Sequence, residues 1–300
     1  MTATVLYDVP GPRARIRNLG FGAVGTLIVL ALVGFVVYRL VGTGQFDGRV
    51  WEWIEYETIQ VLLLQSLVAT LKAFAAAAVL SLLFGALFAG ARLSDHRWIN
   101  RPAAVVVEFF RAVPLLILIF ILYFGVARGL GVNLSTFWAL VLGLMLYNGS
   151  VLAEVFRAGV NALPRGQREA AYALGMRKTQ VMTYVLLPQA IRAMLPTITS
   201  QLVVVLKDTA LGFLILYPEL LYQARFLGSQ GQLGLPIIPV ALVVAAIYIT
   251  MCLLLSWLAN YLEGRTRRSA KAAPLDPHGA MKLETEVSAA QAQGGGAASG

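Results

Sequence analysis

Three pairs of ionisable residues stand inside apolar runs of this chain: Glu108 with Arg111, Glu154 with Arg157, and Lys207 with Asp208. A charge within a bilayer span costs free energy, so such residues are functional candidates by default. The first two pairs are spaced three apart, which puts both members on one helix face where they can form an ion pair. Glu108 and Arg111 can equally reach the interface at the inner end of their run. Glu154 and Arg157, also near an inner end, read as a gate or a brace at least as readily as a substrate contact. Lys207 and Asp208 are adjacent, and adjacent helical residues point apart. Each then requires its own partner or a water-filled cavity; the alternatives are a structural charge network between helices or a local break in the helix. Covalent and metal chemistry have little to work with. His96 and His278 are the two histidines and Cys252 the one cysteine, and none stands at metal-ligand or nucleophile–base spacing. Cys252 reads as a small apolar packing residue. The chain contains no G-x-x-x-x-G-K-[ST] phosphate loop.

The elements that must position these charges are membrane helices. Of 300 residues, 58% are hydrophobic and 13% charged, against about a quarter charged in soluble domains. A span requires about 20 apolar residues. The hydropathy pattern predicts an all-α, polytopic protein with six spanning helices near 19–40, 66–91, 104–127, 135–158, 194–217 and 237–262. The first run is too long for a signal-peptide core and is read as retained; a cleaved signal would leave five spans. The formal charge of +9 could suggest nucleic acid, but its distribution says otherwise. With the N-terminus inside, four basic residues (Arg39, Arg49, Arg128, Arg225) fall in outer segments and seventeen in inner ones. That positive-inside bias places both termini in the cytoplasm, so the basic balance reports topology and not a nucleic-acid partner.

Around these spans, residues 1–18 read as a flexible basic lead and 19–60 as the first span with its external connection. Residues 61–264 form the core, and 265–300 are expected to be a disordered tail, too poor in apolar residues to offset ordering entropy. Lys72 is placed near the outer end of span two, where it can snorkel. Gly85, Gly90 and Ala75 to Ala78 allow close helix packing in that span. Gly129, Gly131, Gly228, Gly231 and Gly234, with Pro218, Pro236 and Pro239, suit irregular outer loops, either merely flexible or shaped to receive an external protein.

The largest internal polar stretch, 159–192, has its own helix grammar. Pro164 suits a first helical turn, Gln167 to Leu174 a short helix, and Gly175 a left-handed helix end. Thr179 can cap a second helix that Pro188 breaks or bends near Leu187. Ala170 and Ala171 give the first helix a narrow face beside the fixed charge of Glu169. Such a helix either lies on the membrane surface or docks a soluble partner.

The spacing Glu169-Ala170-Ala171, Gly175, Val185, Leu187-Pro188 resembles the cytoplasmic signature of bacterial ABC-importer permeases, with Val185 in place of the usual isoleucine. Phe110 to Leu116, Ala153 to Gly159, Gly166-Gln167 and Leu206 to Thr209 are similar to the polar amino-acid branch. Ala112-Val113 there replaces a Gly-Thr pair. The resemblance covers roughly residues 60 to 262, and the composition resembles actinobacterial glutamate permease subunits. It implies the MetI-like permease fold, a subunit without its own ATPase site, and coupling to a separate cytoplasmic ABC ATPase dimer through Glu169, Ala170, Ala171, Gly175, Leu187 and Pro188. ATP and Mg would be bound by that ATPase and no cofactor by this chain. A second permease subunit, identical or different, and an extracellular solute-binding protein complete the expected complex in the cell membrane. The implied cargo is glutamate or another polar amino acid, whose carboxylate Lys207 would meet and whose ammonium Asp208 would meet. An ion-coupled secondary transporter is the alternative, although such proteins usually carry internal repeats; an intramembrane enzyme is disfavoured.

Overall fold

Small residues on one face of a long apolar helix set the architecture. In the computed structural model, which describes residues 11–268, helix α2 (Glu57–Arg92) buries Ser66, Thr70, Ala73, Ala77, Ser81, Gly85 and Ala89, spaced three or four apart. That face packs along α6 (Thr136–Asn161). A Cβ added to Gly85 would sit 2.8 Å from the Leu152 Cβ and 3.2 Å from the Ala153 backbone nitrogen. One added to Gly149 would sit 2.8 Å from the Phe84 ring. Helices in lipid gain little from hydrophobic burial, so close backbone approach of this kind supplies the contact. α2 also begins earlier than the expected span. Lys72 consequently lies near the middle of the helix and not at its outer end, on an exposed face.

α1 (Pro12–Gly42) starts inside the lead expected to be flexible and buries none of its residues. The expectations for residues 1–10 and 269–300, His278 included, lie outside the described residues. The third span is not one rod. α3 (Arg97–Ala112) ends at Val113, held extended at φ −81° and ψ 128° ahead of Pro114, as proline imposes on the residue before it. The apolar arm then runs through α4 (Leu115–Phe120), a π turn at Ile121–Gly125 and α5 (Val126–Leu130), bent by 99° from α3. Glu108 and Arg111 therefore sit on an amphipathic arm rather than within a continuous span. Among the described residues five helices are long and apolar enough to cross a membrane, or six with the bent pair counted as one.

The inner loop holds α7 (Arg165–Ala173) and α8 (Lys178–Gln180). Proline does not break the chain here as expected. A wide π turn at Val181–Leu186 leads directly into α9 (Leu187–Asp208), with Pro188 in its first turn, where a missing N–H is tolerated. α9 passes into a 3₁₀ segment, Thr209–Ile215. The next outer connection is more ordered than its glycines and prolines suggest: it contains α10 (Leu220–Gly228), followed by α11 (Ile237–Arg268). Leu220, Ala224 and Leu227 of α10 pack with Trp53, Val240 and Val244 in an outer cluster. A central cluster joins α2, α4 and α6, and a third lies under the inner loop.

Candidate functional site

Within α7, one alanine packs the inner loop against the membrane helices. Ala171 is 4% exposed and packs with Val160, Val181, Leu186, Ala190 and Met194. The face expected to hold Ala170 and Ala171 together is therefore split, with Ala171 turned inward. Gly166, Glu169, Ala170 and Ala173 remain exposed, as does Leu174 at 83%. Gly166, Ala170 and Ala173 follow helical spacing and form the small-residue stripe that points away from the protein. Gly175 adopts φ +75°. Its N–H donates to the Tyr172 carbonyl at 2.9 Å and that of Met176 to the Ala171 carbonyl at 3.3 Å, the paired bonds of a left-handed helix stop. Thr179 makes no capping bond; the Gln180 side chain instead accepts from the Arg177 N–H at 2.8 Å. Leu187 is half-buried and Pro188 exposed.

Next to this loop the expected charges assemble around a residue that sequence reasoning missed. Arg92, at the end of α2, donates to Glu154 at 2.8 Å and lies 3.5 Å from Glu108. Arg157 pairs with Glu154, as its spacing predicts. Glu108 pairs with Arg92 and not with Arg111, which no ion pair engages among the described residues. One guanidinium thus ties the C-terminal ends of α2 and α3 to the last third of α6. A second ion pair, Asp95 with Lys178, links the α2–α3 hairpin to the inner loop. The Lys178 ammonium holds the exposed Asp95 carboxyl below the usual carboxylate range.

Lys207 and Asp208 diverge, as adjacent helical positions must. Asp208 is half-buried at the last turn of α9 and accepts from the Asn148 amide at 3.4 Å; Asn148 accepts from Gln201 at 2.7 Å. Lys207 is exposed and has no hydrogen-bond or ion-pair partner among the described residues. It lines a cavity of about 500 Å³ between α9, α10 and α11, with Tyr248 and Cys252 on the opposite wall.

The sequence pattern of the family described as binding-protein-dependent transport system inner membrane component matches residues 81–268. This chain belongs to that family. The permease is 38% identical over 257 residues to a glutamate transport system permease protein of Corynebacterium glutamicum, covering 83% of this chain and 93% of that one. It is 34% identical to a probable glutamine ABC transporter permease protein of Bacillus subtilis, over 62% of this chain and 85% of the relative. The crystal structure of an amino acid ABC transporter with histidines matches with a TM-score of 0.65 at 31% identity, over 71% of this chain and 98% of that one. An inward-facing methionine ABC transporter shares the fold, with a TM-score of 0.59 at 19% identity.

The permease also carries a polar centre that its sequence did not announce. Glu219 is fully buried and caps α10, accepting from the N–H groups of Leu221 at 2.7 Å and Tyr222 at 2.6 Å. A carboxylate at a helix N-terminus satisfies donors that have no partner within the helix and faces the positive end of its dipole. Tyr248 of α11 donates to the same carboxylate at 2.8 Å. The Leu220 N–H donates to Thr70 of α2 at 3.2 Å, and the Tyr217 hydroxyl donates to the Ala69 carbonyl at 2.8 Å. The one available signal was an acidic residue directly before the apolar Leu220-Leu221-Tyr222, a helix-start pattern.

Proposed function

We propose that this permease supplies one half of the translocation pathway of an ATP-driven amino-acid importer, with glutamate as the leading cargo. The observation that carries the reading is α7: it is anchored through Ala171 and presents Glu169, Ala170 and a small-residue stripe to the space beside the membrane. A helix with so narrow a face fits a groove on a cytoplasmic ATPase, which would hold the ATP and magnesium. Gly175 ends the helix sharply, and Leu187-Pro188 feed its displacement into α9. Two ATPase subunits, a second permease and an extracellular solute-binding protein complete the complex, and both termini are cytoplasmic.

The similarity to the Corynebacterium glutamate permease supports glutamate. So does Lys207, a cation whose side chain has no partner among the described residues and that lines a cavity within the membrane region. Free charges at that depth face water or a ligand, because lipid does not solvate them. In this reading Lys207 meets a substrate carboxylate, and Asp208, tied to Asn148 and Gln201, holds the pathway wall or meets the ammonium. The cluster of Arg92, Glu108, Glu154 and Arg157, with Arg111 beside it, braces the inner ends of α2, α3 and α6 as an inner gate.

Uptake of labelled glutamate into vesicles holding the complex tests this directly. The reading expects uptake that requires internal ATP and external binding protein and persists when ion gradients are collapsed. Uptake driven by an ion gradient without ATP refutes it and makes the chain a secondary transporter. Lys207→Ala is expected to lower glutamate uptake with ATPase docking intact; unchanged uptake removes Lys207 from the pathway.

A further inference from the structure

Between the α2–α3 hairpin and the inner loop lies a cavity of about 580 Å³. Its walls are mainly apolar, with Ala89 and Gly90 of α2, Phe156 and Val160 of α6, and Leu187 and Met194 of α9, while Ser94, Asp95, His96, Lys178, Thr179 and Thr183 add polar groups. Across its mouth one side chain joins the two sides. Lys178, at the start of α8, pairs with Asp95 and donates to the Leu93 carbonyl at 3.3 Å. Leu93 is the C-cap of α2, so the ammonium sits at the negative end of that helix, where a cation is favoured. Asn100 of α3 caps the same helix end, donating to the carbonyls of Arg92 at 2.7 Å and Ser94 at 3.3 Å. Among the described residues, Lys178 provides the only hydrogen bond or ion pair between residues 162–183 and this hairpin. α7 otherwise engages the membrane helices through Ala171 and its cluster on α6 and α9, against which Leu93 of the hairpin also packs, and through the Gln189 amide, which donates to Gln167 at 3.5 Å.

We propose that Lys178 is a positioning residue for coupling, a strut that makes the α2–α3 hairpin move with the inner loop when the ATPase displaces it. The inference rests on the coupling role of α7 proposed above. Without the strut, a push on α7 reaches α6 and α9 through Ala171. The cavity leaves the loop and α2 joined there only by the apolar contact of Leu93, which transmits a sideways shift less firmly than an ion pair. With the strut, the push also enters the end of α2, where Arg92 holds Glu108 and Glu154. All three helices of the inner charge cluster are then driven together. The contact is polar and solvent-exposed, so it can break and reform within a transport cycle.

The test uses the complex purified through a tag on this chain and reconstituted in proteoliposomes. It reads glutamate uptake per ATP hydrolysed, together with crosslinking of Ala170→Cys to the ATPase in a Cys252→Ser background. Exposed ion pairs shift equilibria by up to about fivefold. Lys178→Ala is therefore expected to retain the crosslink and lower uptake per ATP roughly two- to fivefold. Lys178→Arg, which keeps a donor and a positive charge at the end of α2, is expected to restore the ratio, which a residue needed only for folding would not require. An unchanged ratio in Lys178→Ala, or no rescue by Lys178→Arg, overturns the strut while leaving α7 coupling intact. Loss of the crosslink in Lys178→Ala assigns Lys178 to docking and also overturns it. Absence of the crosslink in the unsubstituted protein is a separate failure, of the coupling role of α7 itself.

Discussion

Exchanging Ala171 and Ala170 for leucine, one at a time, separates the two faces of α7. Ala171 lies among Val160, Val181, Leu186, Ala190 and Met194 with 4% of its surface exposed. Extra carbons there must displace packed neighbours, and overpacking a filled core costs roughly 1–3 kcal/mol. For chains of this size class each kcal/mol moves the melting temperature by about 2–4 °C. Ala171→Leu is thus expected to lower the Tm of the purified permease by roughly 2–12 °C. Ala170 is exposed, and exposed substitutions of this kind fall within about 0.5 kcal/mol. Ala170→Leu is expected to leave Tm unchanged while reducing the ATPase recovered with the permease. Thermal unfolding followed by tryptophan fluorescence, beside quantitative co-purification, reads both effects. Equal destabilisation by the two substitutions would refute the inward and outward assignment. Full ATPase recovery with Ala170→Leu would remove that face from docking.

Gly175→Asp places a side chain in open space but at φ +75°, at a cost of order 1 kcal/mol. Membrane insertion, read by immunoblot, should be retained while uptake falls; normal uptake would mean that the helix stop is dispensable. Glu219→Ala leaves two backbone N–H groups and the Tyr248 hydroxyl without their acceptor. With about 1–3 kcal/mol for each buried unsatisfied group, a large drop in Tm is expected, and a shift of less than a degree or two would contradict the capping account. Gly85→Leu meets Leu152 and the α6 backbone within 3.2 Å of its Cβ. It should sharply reduce the folded permease recovered in mild detergent, whereas the same change at Gly90, where nothing lies within 4 Å, should not.

The parts of this protein legible in its sequence are those set by local or periodic rules. Hydropathy located the long apolar helices, and Gly175 behaved as a helix stop because its conformation is a property of a few consecutive residues. The spacing of Glu154 and Arg157 gave their ion pair for the same reason. What escaped depends on contacts distant in sequence. Small size marked both Ala170 and Ala171, but only packing against Val160 and Met194 shows which one faces inward. Glu108 had Arg111 as its local partner, yet Arg92 from another helix takes it. Prolines misled in both directions. Pro114 bends an apolar run by 99° that read as one span, while the π turn before Leu187 absorbs Pro188. Glu219 was hidden in a connection whose glycines and prolines suggested irregular backbone, because its role lies in capping a helix that only tertiary burial stabilises.

The unbroken stretch from Lys178 to Ile215 has a geometric corollary. At 1.5 Å per residue, 38 residues make a lever of roughly 57 Å. In the proposed coupling its short arm faces the ATPase, and its long arm carries Asp208 and Lys207. A tilt of about 5° about a fulcrum near Ala190 would swing the far end by roughly 3 Å, about the width of a water molecule. Seals that close a pore by side-chain contact need no larger stroke.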